Sequence, residues 1–67
     1  MKYVKERNFV KSIFEENQKE LKKSTIVILE STIEKGQLTS VLFEDRFGNQ
    51  YECYINKRGE KIIKELT

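Results

Sequence analysis

Apolar side chains recur at spacings of three and four from Val10 to Leu21, and the pattern then changes to alternation from Thr25 onward. In the first stretch, Val10, Ile13, Phe14, Asn17 and Leu21 fall on one face of a helix. The spacing predicts a helix over residues 8–23, with Asn8 as N-cap. Lys22 and Lys23 sit where a helix C-terminus favours cations, and Glu15–Lys19 is an i,i+4 pair in the favourable orientation. Tyr3 continues the stripe upstream and allows a start near residue 2.

The second stretch is rich in β-branched and aromatic residues and predicts four strands, 25–33, 37–45, 49–56 and 60–66. Two separators, Asp45-Arg46-Phe47-Gly48 and Asn56-Lys57-Arg58-Gly59, share an Asx first and a glycine fourth. That is the pattern of a type I turn whose glycine takes the left-handed position of a bulged hairpin. Ile33-Glu34-Lys35-Gly36 has the glycine without the Asx. Treating all three alike sets Ile33 opposite Gln37, Asp45 opposite Asn49 and Asn56 opposite Glu60. Stepping along the strands then pairs Leu29 with Val41, Val27 with Phe43, Ile28 with Leu42, Phe43 with Tyr51, Val41 with Cys53, Cys53 with Ile63, Glu52 with Lys64 and Tyr54 with Ile62.

Side chains alternate between sheet faces. One face then holds Val27, Leu29, Ile33, Val41, Phe43, Tyr51, Cys53, Ile55 and Ile63, and the helix stripe is the cover available for it. The expected fold is α+β: an N-terminal helix packed on one face of a four-strand antiparallel meander. The other face carries Ile26, Ile28, Glu30, Leu38, Ser40, Leu42, Glu52, Tyr54, Ile62 and Lys64, of which six are large and apolar. Exposed apolar surface of that extent marks an interaction site. The expected partner contacts are Ile26, Ile28, Leu38, Leu42, Tyr54 and Ile62. The outer strands of an open meander offer a second route, because edge backbone groups accept a partner strand. The last strand is guarded by Lys61 and Lys64, which leaves 25–33 as the pairing edge.

Composition sharpens this picture. The chain of 67 residues is long enough for a single domain, 1–67, with marginal stability. Such small scaffolds lean on a disulfide, a metal or a partner chain. With one cysteine and no histidine, the chain points to the last of these, a protein partner or a second copy. No cofactor, metal or small-molecule substrate is expected, and no enzymatic activity. A general base near neutral pH is missing, and Cys53 reads as a buried small hydrophobe. Glu44 and Asp45 point to opposite faces, and the three glycines are scattered rather than gathered into a phosphate loop.

The net charge of +2 predicts no strong electrostatic partner. Basic residues do cluster locally: Lys2, Lys5 and Arg7 near the start, and Lys57, Arg58, Lys61 and Lys64 in the last hairpin. A nucleic-acid-binding protein using these residues is therefore an alternative, although Phe43 and Tyr51 fall on the covered face and Tyr54 stands beside Glu30 and Glu52. A homodimeric structural protein is another. The mixed charges of the helix do not suit a membrane surface. A charged start and one unpaired cysteine suit the cytoplasm of the producing or an infected cell.

In size and make-up the chain resembles the small inhibitors and regulators encoded by phages and other mobile elements. That resemblance implies a non-enzymatic protein that binds and restrains a larger one.

Overall fold

A computed structural model describes residues 2–21 and 25–66. It has one helix, α1 (Val4–Glu16), followed by four strands, β1 (Val27–Glu34), β2 (Gln37–Glu44), β3 (Gln50–Ile55) and β4 (Lys61–Glu65). The strands form one antiparallel sheet in the order β1-β2-β3-β4, so β1 and β4 are its edges. The α+β architecture expected from the hydrophobic pattern is the one observed.

The helix is placed earlier than the predicted 8–23. Its N-cap is Tyr3, held at φ 60°, rather than Asn8, and the Arg7 backbone N–H donates to the Tyr3 carbonyl at 2.9 Å. At the other end the chain leaves the helix through a Schellman closure. Gln18 adopts φ 58°, its N–H donates to the Glu15 carbonyl at 3.0 Å, and the Lys19 N–H donates to the Phe14 carbonyl at 2.8 Å. Lys19 therefore lies past the helix end and forms no helical pair with Glu15. The predicted cations Lys22 and Lys23 fall outside the described residues.

Asn17 is not a core residue. Its side-chain amide donates to the Ile13 carbonyl at 2.8 Å and to the Lys61 carbonyl at 3.2 Å, tying the helix end to β4. Glu16 and Lys61 reinforce the tie with an ion pair at 2.7 Å.

Val10, Ile13 and Phe14 of α1 pack on Ile26, Val41, Phe43 and Cys53 to make the core. Phe43 is its centre, meeting Phe14 edge to face (centroids 5.9 Å, 62°) and stacking on Tyr51 (5.4 Å, 21°). Leu21, beyond the helix, leans on the same cluster.

The β2–β3 and β3–β4 registers are those predicted: Phe43 opposite Tyr51, Val41 opposite Cys53, Cys53 opposite Ile63, Glu52 opposite Lys64 and Tyr54 opposite Ile62. The β1–β2 register differs. The hairpin closes at Glu34 and Gln37 with Lys35 (φ 52°) and Gly36 (φ 78°) as its two-residue turn. Two consecutive positive φ values are the mark of a type I′ turn, which matches strand twist better than the longer turn predicted. Two β-bulges follow, one between Ile28 and Glu30 and one opposite Thr32 and Ile33.

As a result Ile28 faces Phe43, Glu30 faces Leu42, Ser31 faces Val41 and Val27 faces Glu44. The start of the strand is inverted relative to expectation. Ile26 is 2% exposed in the core and Ile28 packs against it. Val27 and Leu29, predicted inside, are 56% and 43% exposed, and Ile33, likewise predicted inside, is largely exposed.

Candidate interaction surfaces

Three of the six expected partner contacts move to the helix side of the sheet. Ile26 is buried, and Ile28 and Leu38 pack against the core. Leu38 pairs with Ile33 beyond the bulge that re-aims the end of β2. The sheet face away from the helix keeps Leu42, Tyr54 and Ile62, all half-buried. A shallow depression there is lined by Glu30, Thr32, Ser40, Leu42, Glu52 and Leu66. The Ser40 hydroxyl donates to the Glu52 carboxylate at 2.7 Å, and Lys64 stands across from Glu52. Across the open face Leu42 therefore stands between Glu30 and Glu52, with Tyr54 and Ile62 paired in the adjacent row beside Ser40, and the face is less greasy than the sequence implied.

The basic residues are not gathered into one stripe. The Arg7 guanidinium donates to the Lys2 carbonyl at 3.2 Å and to the Ile26 carbonyl at 2.8 Å, which anchors the strand entry to the helix. Lys61 is paired with Glu16 and Lys64 faces Glu52. Lys57 and Arg58 are exposed on the β3–β4 turn. Lys5 and Lys61 both line a groove under the first turns of α1, where Lys61 is held by Glu16.

That groove has a volume of about 400 Å³. Phe9, Ile13, Ile33, Leu38 and Ile55 are its apolar lining, and Lys5, Glu6 and Lys61 also line it. It opens at the end of the sheet that carries the β1–β2 turn.

At the opposite end the β2–β3 turn is fixed by Asp45. One carboxylate oxygen accepts the N–H groups of Phe47 and Asn49, both at 2.9 Å. The other accepts the Asn49 amide and the Tyr51 hydroxyl, each at 3.3 Å. Desolvation raises the Asp45 pKa, but these donors together outweigh it and hold the carboxyl below its ordinary value. Desolvation, then the charges of Asp45 and Glu65, push the Tyr51 phenol up. The β3–β4 turn repeats the design, with the Asn56 side-chain oxygen accepting from Arg58 N–H at 3.0 Å and Glu60 N–H at 2.9 Å.

Phe47, at the tip of the first of these turns, is 73% exposed, more than any other large apolar side chain described. The Arg46 guanidinium lies 4.8 Å from its ring centroid. The hydrophobic pattern places Phe47 within the turn Asp45-Arg46-Phe47-Gly48 and gives it no further role. The signal it passed over is the comparison of the two turns, which places an aromatic where the other has Arg58.

Cys53 is fully buried, and burial, with a smaller contribution from the Glu52 charge, pushes its thiol up to about 12. Among the described residues no cluster of His, Cys, Asp and Glu could hold a metal ion, and no helix is long and apolar enough to cross a membrane.

No protein-family model, curated protein or solved structure significantly matches the chain.

Proposed function

We propose that this chain is a small non-enzymatic protein-binding module that regulates or inhibits a larger protein, docking through the sheet face that α1 leaves open. The observation that carries this reading is that Leu42 and the cross-strand pair Tyr54–Ile62 stay half-exposed on the face of a sheet with one helix. Apolar side chains that a small domain leaves in water are stabilised when a partner covers them. A cysteine held as a thiol and the lack of histidine support binding over catalysis. The resemblance in size and make-up to small regulators of phages and mobile elements is what suggests the kind of partner, and the cytoplasm is the compartment that fits.

Nucleic acid is the weaker reading, because Arg7 and Lys61 are already engaged by groups of the chain itself. Affinity capture from the native host, run in parallel with wild type and Leu42→Lys, tests the proposal. One larger protein retained by the wild type and lost with the variant, at unchanged circular dichroism, supports it. Identical captures from both, or RNA released by moderate salt, overturn it.

A further inference from the structure

β1 and β4 are both edges of the sheet, but they are not alike. The outer side of β4 is engaged. The Asn17 amide donates to the Lys61 carbonyl at 3.2 Å, and Glu16 holds the Lys61 ammonium at 2.7 Å. Lys64 adds a second charge of the kind that discourages strand pairing. β1 has no such cover among the described residues. Six of its eight residues are exposed, against two of five on β4, so it is β1 that lies open along its length. It carries neither a basic residue nor a proline.

Bulges interrupt many edges, and β1 has one, where Leu29 is left over between Ile28 and Glu30. The other irregularity belongs to β2, where Thr39 is left over between Leu38 and Ser40. β1 itself therefore alternates without interruption from Glu30 to Glu34. An edge strand turns the N–H and C=O of every second residue outward, and another extended backbone is what satisfies such a row.

Side chains define the rest of the occupant. A strand added to β1 lengthens each row across the sheet by one position. On the open face the rows end at Glu30, which borders Leu42, and at Thr32 and Glu34, which share a depression. Among the described residues no ion pair engages either carboxylate. On the helix side the rows end at Ser31 and Ile33. Ile33 is 62% exposed and, with its partner Leu38, belongs to the apolar lining of the groove under α1. The matching strand has cations opposite Glu30 and Glu34 and apolar side chains opposite Ser31 and Ile33. That order reads the same in both directions, so a parallel or an antiparallel strand fits. A second copy of this chain does not supply it. Its β1 would bring only further carboxylates, and like charges directly opposed destabilise a strand pair. Its β4 sets Lys61 and Lys64 on opposite faces, with Lys61 already held.

We infer that β1 receives an extended segment of a different protein, with a lysine or arginine against Glu30. The inference rests on the reading of this chain as a protein-binding module, but places this contact at the edge of the sheet rather than on its open face.

The probe is the end-blocked peptide Thr-Lys-Val-Thr-Ile-Lys-Thr, titrated into the isotope-labelled chain and followed by amide NMR. Saturable shifts centred on residues 27–34 are expected, with slowed hydrogen exchange of amides there. Glu30 is exposed, so Glu30→Lys should fold. That variant should bind the peptide about tenfold more weakly, and its counterpart with glutamates for lysines more tightly by a similar factor. Replacing the central Val-Thr of the peptide by Pro-Pro removes an N–H from whichever side faces β1, and binding should be lost. Ile62→Lys, on the far strand, should bind the peptide as wild type does. Because Ile62 belongs to the open face, a variant that keeps the peptide and loses a larger protein partner separates this contact from docking there. No saturable shift on β1, equal binding of the Pro-Pro peptide, or a Glu30→Lys indifferent to peptide charge overturns the inference. A free chain that dimerises with its β1 amides protected also overturns it, by making the occupant a second copy.

Discussion

Ile28 stands directly across from Phe43 in the β1–β2 ladder, on the helix side of the sheet. Its neighbour Leu29 falls in the bulge and is exposed. Truncation should separate the two. Ile28→Ala is expected to cost about 1–3 kcal/mol, below the full-burial range because the side chain is only partly buried. Leu29→Ala should stay within about 0.5 kcal/mol of wild type. Urea unfolding measures both, and equal costs would contradict the observed register.

Gln18 and Lys35 hold left-handed backbone without being glycine, at φ 58° and 52°. Such conformations cost ordinary residues free energy that Gly or Asn avoids. Gln18→Gly and Lys35→Asn should each stabilise the fold by about 0.5–1 kcal/mol. Thermal or urea unfolding of the single variants checks this, and destabilisation by both would show that neither backbone is strained.

The Asp45 carboxyl sits below its ordinary pKa in the folded chain, because desolvation, which raises it, is outweighed by the donors of Asn49, Phe47 and Tyr51. A depressed folded value contributes stability that is present above the unfolded value, ~3.9, and lost as pH falls through the folded one. Asp45→Asn keeps an acceptor oxygen, as Asn56 does in the other hairpin. The variant should therefore be less stable than wild type at neutral pH and approach it in acid. A stability gap that does not narrow below about pH 3 would show that the charge contributes nothing.

Cys53 should react with a thiol reagent only when the chain opens. Its thiol is fully buried, and burial, with the Glu52 charge, pushes its pKa up to about 12, so the thiolate is scarce at neutral pH. Labelling should accelerate with urea in step with global unfolding. Rapid labelling of the native chain would place Cys53 at the surface instead.

What the sequence revealed followed the strength of its local chemistry. Asp45 and Asn56 declared their turns because each side chain can accept from the backbone it precedes, and the registers built on those turns are the ones observed. The Ile33–Gly36 segment lacks such a side chain, and there the chain takes a shorter turn with bulges on both strands. Bulges leave no simple period, so the alternation around Ile26–Leu29 was read one residue out of phase. The half-exposed Leu42, Tyr54 and Ile62 were legible on the open face because their two hairpins were. The groove under α1 was not, since it depends on a helix beginning at Val4 and on the bulge that re-aims Leu38.

Asn17 and Glu16 hold the end of α1 through Lys61, 44 and 45 positions further along the chain. The helix is made first during synthesis, yet its clamp arrives with the final strand. A nascent chain still missing β4 would leave that helix loosely seated and its core stripe in water. Such distant contacts slow folding, so the domain should acquire its structure late and nearly all at once.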